Sequence, residues 1–176
     1  MEAAPIDGSG PVQIIDQFRK LDPRNIQVER ISGLIFSIVL FTGSVIGLGV
    51  LWFNLGFDTT WFVVAGSAAL VNIASFVFSV FWPPVNYRHA SWRLDVEGLE
   101  IRHGVLWRHR ITIPLGRVQH ADVSQGPLQR PFGVGTLTIH TAGTQNASIG
   151  LEGLAHETAL ELRDLIVRQK KDQNVV

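Results

Sequence analysis

The sequence predicts an α+β membrane protein: a two-helix transmembrane hairpin, then an antiparallel β-sandwich or barrel closed by one C-terminal helix. Three observations carry this. From residue 31 to residue 87 the only charged residue is Asp58. From residue 88 onward, short runs of alternating apolar and polar residues are broken by Gly and Pro, the pattern of half-buried strands. Residues 155–171 then place apolar side chains at helical spacing. Composition sets the outer limits. Fifteen Lys+Arg balance 15 Asp+Glu among 176 residues, so no general attraction to nucleic acid is expected. Charged residues make up 17%, against about 25% in soluble domains. Cysteine is absent, which excludes thiolate and disulfide chemistry.

The N-terminal segment, residues 1–30, is mixed. Residues 1–11 hold two Gly, two Pro and few bulky apolars, and are expected to be loosely attached. Val12, Ile14, Ile15, Phe18 and Leu21 fall near one helical face. They predict a short amphipathic helix, lying on the membrane surface or packed on the protein's own domain. Asp22-Pro23 ends it.

Residues 31–53 and 61–82 are the two spans, 23 and 22 residues without a charge. At about 1.5 Å per residue each reaches about 33 Å, enough for a hydrocarbon core of about 30 Å. Residues 54–60 form the external loop, flanked by Trp52 and Trp61, with Trp82 closing the second span. Tryptophan favours the headgroup level. Pro83-Pro84 is expected to stop the second helix. The first stretch is too long for a signal-peptide core and a second span follows it. Arg19, Lys20, Arg24 and Arg30 precede the hairpin, Arg88 and Arg93 follow it, and the loop has no Lys or Arg. Positive charge is retained inside, so both termini are expected in the cytoplasm.

Small and polar residues mark one face of each span: Gly33, Ser37, Gly43, Ser44 and Gly47 in the first, Ala68, Asn72, Ser75 and Ser79 in the second. Such faces let helices approach closely, within the hairpin or against another membrane protein. Neither span carries an ionisable residue, which argues against a proton relay or ion pathway.

Residues 88–171 form the cytoplasmic domain, with 172–176 as a tail. Trp92, Leu94 and Val96 alternate with Arg93, Asp95 and Glu97, and Leu99 and Ile101 resume the alternation after Gly98. His103-Gly104 turns the chain, and residues 105–113 continue as strand with Ile111 and Ile113 inward. Residues 118–123 are a strand. Residues 126–133 are a loop. Leu137, Ile139 and Thr141 alternate, residues 142–146 turn, and Ala147, Ile149 and Leu151 make a last short strand. In the closing helix Ala155, Ala159, Leu162, Leu165 and Ile166 form the apolar stripe, with acids early and bases late.

Strands followed by one C-terminal helix resemble the pleckstrin-homology (PH) superfold. The likeness sharpens at Ile113-Pro114, at Arg117-Val118-Gln119-His120, across residues 123–130, at Gly133-Val134-Gly135-Thr136-Leu137, at Thr141-Ala142-Gly143 and across residues 149–154. These blocks look like the bacterial PH membrane proteins of the YdbS-like family, over roughly residues 21–166. The resemblance implies two N-terminal spans and a PH-like domain in a bacterial plasma membrane. It implies no activity and no catalytic residues, because fold does not fix function.

No chemistry is expected. His103, His120 and His140 could ligate a metal, but no pair of histidines has ligand spacing. His120 and Asp122 could share a strand face, yet no nucleophile motif accompanies them. The expectation is therefore no catalytic, metal or cofactor site, with histidines scattered over surface and turns. Arg88, Arg93, Arg108 and Arg110 are the candidate contacts for an anionic lipid headgroup; setting topology is their simpler role. Gln125, Leu128, Arg130 and Phe132 are the candidate partner loop, or a plug for the barrel end. Two functions follow. The first is a non-enzymatic membrane adaptor or accessory subunit that presents its domain at the cytoplasmic face to a membrane-complex partner. The alternative is an anionic-lipid-sensing protein of envelope homeostasis or stress. Expected partners are membrane lipids and a membrane protein or a second copy of the chain; nucleic acid is not among them.

Overall fold

A computed structural model of the chain describes residues 17–95, 97–142 and 148–173. The chain divides into two compact units, residues 27–84 and the remainder.

The first unit is the body of two long helices, α1 (Asn25–Leu55) and α2 (Thr59–His89). Both are apolar enough to cross a membrane, and only 6% of each apolar window is buried. Core helices of a soluble protein would be mostly covered; here Phe36, Ile38, Leu70, Phe81 and their neighbours face outward. Both helices outrun the expected spans. Most notably, α2 does not stop at Pro83-Pro84 but continues to His89. Pro84 cannot donate to the carbonyl of Val80, and Arg30 Nε donates to that carbonyl instead at 3.2 Å. A freed carbonyl with a replacement donor lets the helix run on.

Gly33, Ser37 and Ser44 on α1 meet Asn72, Ser75 and Ser79 on α2. The Ser37 hydroxyl lies 2.9 Å from that of Ser75 and 3.1 Å from that of Ser79. Asn72 Nδ2 donates to Ser44 Oγ at 3.0 Å and to the carbonyl of Ala68 at 2.8 Å. A Cβ on Gly33 would sit 2.8 Å from Ser79 Oγ, so only glycine permits this approach. Gly43 and Gly47 have open space where a Cβ would stand, so they lie off this contact.

In the second unit β1 (Ser91–Leu94), β2 (Gly98–His103) and β3 (His109–Pro114) form one antiparallel sheet. β4 (Val118–Ser124), β5 (Val134–Thr141) and β6 (Ser148–Ala155) form another. α3 (His156–Gln173) packs mainly on β4 and β5. Trp92, Leu94, Leu99, Ile113, Leu137, Ile139, Leu154, Leu162 and Ile166 fill the core. Ala159, Leu162 and Ile166 are the buried stripe of α3, as their spacing requires.

Three local readings change, and one strand carries an irregularity that no reading addressed. The amphipathic helix placed on residues 12–21 lies outside the described residues up to 16; residues 17–24 are not helical. Arg19 instead bridges Trp92, donating to its carbonyl at 2.7 Å and accepting from its N–H at 2.9 Å, while Leu21 enters the core. Pairing of the open edge of β1 and burial of Leu21 outweigh the helical pattern. Residues 105–108 are a loop rather than strand, so β3 starts at His109. Ala155 ends β6 as the partner of Val134, and α3 begins one residue later. Finally, β4 shifts register between Val118 and His120. The turn expected at residues 142–146 lies outside the described residues beyond 142, as do Val96, Ala147 and residues 174–176.

Candidate functional site

The first sheet carries a cluster of arginines around one buried acid. Glu100 is 4% exposed. It accepts from Arg93 Nε at 2.7 Å and from Arg102 Nε at 2.8 Å, with Arg110 Nε at 3.3 Å. Register explains the set: Arg93 is the cross-strand partner of Glu100, and Arg102 and Arg110 are partners of each other two residues further along, on the same face. Burial pushes the Glu100 carboxyl up; the bonds and charge of Arg102 and Arg93 outweigh it and hold the group below its ordinary value. Phe18 closes the cluster, with the Arg102 guanidinium 3.7 Å and that of Arg93 4.8 Å from its ring centroid.

Beside this cluster opens a cavity of about 450 Å³. Lys20, Arg88, Arg102, Arg108 and Arg110 line it with His89, His103 and His109, and no acid is among the lining residues. Lys20 Nζ donates to the carbonyl of Arg88 at 2.7 Å, which ties the N-terminal segment to the end of α2. His103 and His109 are cross-strand partners with rings stacked at 5.3 Å. Among the described residues no carboxylate pairs with Arg88 or Arg108. The size is that of a small-ligand pocket, and the lining suits a phosphate.

The connection between β2 and β3 forms the rim. Gly104 has φ +107°, and a Cβ there would run into the carbonyl oxygen of Trp107. Only glycine makes that turn without strain. It presents Leu106 and Trp107, each 81% exposed, between the pocket residues Gly104 and Arg108.

Of the candidate headgroup contacts, the cavity brings together Arg88, Arg108 and Arg110. Arg93 is not part of it, being held by Glu100 and Phe18. Lys20 was not legible as a site residue, because it comes from the N-terminal segment; Arg102 is one of the arginines that stand out in the sequence, and the strand register brings it to the cavity. The candidate partner loop is largely self-bonded. Gln125 Nε2 donates to the carbonyl of Val134 at 2.9 Å, and Gln129 Oε1 accepts from the N–H of Gly126 at 2.8 Å. Leu128 and Phe132 are half-buried, Arg130 is exposed, and Arg24 Nη1 donates to the carbonyl of Phe132 at 3.3 Å. The exposed apolar pair lies elsewhere, at Leu106 and Trp107.

The histidines are less scattered than their spacing suggests. Besides His103 and His109, His120 and His140 stack with ring centroids 4.1 Å apart, and Asp122 Oδ2 lies near both. Cross-strand register pairs residues twenty positions apart, which a search for short spacings misses.

Two long apolar helices joined to a small two-sheet domain with a C-terminal helix define a membrane-anchored PH-like protein. The family model for the bacterial PH domain matches residues 25–170, and the chain belongs to that family. It is 32% identical over 151 residues to the UPF0699 transmembrane protein YdbS of Bacillus subtilis (strain 168), covering 85% of this chain and 90% of that one. No solved structure gives a significant match.

Proposed function

We propose that the protein is a two-pass membrane protein, both termini in the cytoplasm, whose PH-like domain binds a phosphate-bearing anionic lipid headgroup of the cytoplasmic leaflet. The observation that carries this reading is the acid-free convergence of five Lys and Arg with three His on one headgroup-sized cavity. Glu100 answers Arg93, Arg102 and Arg110 from within the sheet, while Arg88 and Arg108 keep their charge for a ligand. Arg88 and His89 sit in the last turn of α2, only six and seven residues past Trp82 along the chain. Trp107 and Leu106 support the same reading, since an indole beside basic residues suits the headgroup layer.

The test is a titration of the detergent-solubilised full chain with dioctanoyl phosphatidic acid, dioctanoyl phosphatidylcholine and inorganic phosphate. The lipid reading predicts saturable binding of phosphatidic acid, weakened at least tenfold in Arg108→Ala/Arg110→Ala and by raised salt, with little binding of phosphatidylcholine. Equal binding of both lipids refutes it. Binding of inorganic phosphate as tight as of phosphatidic acid makes the ligand a free anion.

A protein partner is the second reading, favoured by the 81% exposure of Leu106 and Trp107. An exposed tryptophan next to an arginine in the chain suits an interaction hot spot. It predicts a stoichiometric protein retained on mild extraction and lost in Leu106→Ser/Trp107→Ser.

A further inference from the structure

We propose that His120, Asp122 and His140 form an open site for a divalent transition metal of the zinc class on the outer face of the second sheet, independent of the basic pocket. Three features of the backbone build it. His120 and His140 are directly opposite on the antiparallel pair β4–β5. Asp122 lies two residues from His120 on the same strand, hence on the same face. The irregularity between Val118 and His120 decides which face that is. Val118 is buried and plain alternation would bury His120 with it; the extra residue Gln119 reverses the alternation, so Ala121 turns inward while His120 and Asp122 turn out. A bulge that re-aims side chains in this way is a common device beside sites.

The donor atoms converge. Asp122 Oδ2 is 3.5 Å from His140 Nε2 and 3.7 Å from His120 Nε2, and the three ligand atoms lie within 4.8 Å of one another. Both imidazoles offer the same nitrogen, Nε2, to one oxygen. Metal bonds of about 2.0–2.2 Å in a tetrahedron need ligand atoms about 3.3 Å apart. The carboxylate is within a few tenths of an ångström of that spacing to each ring, and the remaining closure is a small tilt of two exposed side chains. Side-chain exposures of 59%, 66% and 32% for His120, Asp122 and His140 leave the site open to solvent, so water would complete the coordination. Two imidazoles and one carboxylate favour Zn²⁺, Ni²⁺ or Cu²⁺ over Mg²⁺ and Ca²⁺.

The test uses the full chain in detergent, without a histidine tag and stripped with chelator, titrated calorimetrically with ZnCl₂ and MgCl₂. One Zn²⁺ per chain is expected, with no Mg²⁺ binding, and His120→Ala and His140→Ala each weakening Zn²⁺ at least tenfold. His103→Ala/His109→Ala removes the other stacked pair and leaves the affinity unchanged. Co²⁺ adds a direct readout: visible ligand-field bands in the wild type, absent in His120→Ala at the same thermal midpoint of the metal-free chain. The proposal is overturned by no binding at millimolar Zn²⁺, by binding that survives His120→Ala/His140→Ala, or by binding that follows His103 and His109.

Discussion

The approach of the two helices at Gly33 can be tested with a single methyl group. In Gly33→Ala the new Cβ would lie 2.8 Å from Ser79 Oγ, 2.9 Å from its Cβ and 3.2 Å from its Cα. Carbon atoms at rest sit about 3.5–4.0 Å apart, so the helices must part by about 0.5 Å or more at this level. That shift takes the Ser37–Ser75 and Ser37–Ser79 hydroxyl contacts, now 2.9 and 3.1 Å, to or past the hydrogen-bond limit. Interhelical hydrogen bonds in membranes average about 0.6 kcal/mol each, and overpacking adds about 1–3 kcal/mol. The expected loss is about 2–4 kcal/mol, read as a lower thermal midpoint of the full chain in mild detergent. Gly43→Ala and Gly47→Ala meet nothing within 4 Å and serve as internal controls. They should leave the midpoint unchanged or raise it slightly through better helix propensity. A Gly33→Ala midpoint equal to those of the two controls would refute the packing argument.

Three further outcomes follow from named contacts. Arg30→Ala removes the donor to the Val80 carbonyl at Pro84 and should cost about 1–3 kcal/mol, whereas Arg30→Lys restores part of it; the thermal midpoint decides. Glu100 has a lowered folded-state pKa, so its contribution is present above the ordinary value of 4.5 and lost as pH falls through the lower folded value. Melts between pH 3 and 7 should therefore show an acid limb in the wild type that is flatter in Glu100→Gln. The same substitution removes the acid bonded to Arg102 and Arg110, so it should raise affinity for dioctanoyl phosphatidic acid while lowering stability at pH 7.

Much of the architecture is written locally in the chain. A charge vacancy long enough to span a bilayer needs no tertiary knowledge, and neither does the stripe of Ala159, Leu162 and Ile166 on α3. The family and its PH-like fold were legible from motif blocks such as residues 123–130. What was not legible depends on partners distant in sequence. The continuation of α2 through Pro83-Pro84 depends on Arg30, fifty positions before Val80. Helical periodicity at Phe18 and Leu21 lost to a bridge with Trp92 and a place in the core. Arg88, Arg108 and Arg110 stand out as bases in any reading. That Arg93 is held by Glu100 while Arg102 reaches the cavity rim follows only from strand register and pleat. Likewise the Gly and Pro of residues 126–133 signalled specific turns, but that Gln125 and Gln129 satisfy their backbone groups was visible only in the structure.

The central claim is that the basic cavity selects anionic lipid. It is tested most directly by extracting the wild type and Arg108→Ala/Arg110→Ala from the same native membrane in mild detergent. Mass spectrometry then quantifies every co-eluting lipid and protein. The account predicts wild-type protein enriched in anionic phospholipid over the bulk membrane, with the enrichment falling to the bulk ratio in the double variant. Equal lipid composition in both preparations, together with a stoichiometric partner protein, would contradict it.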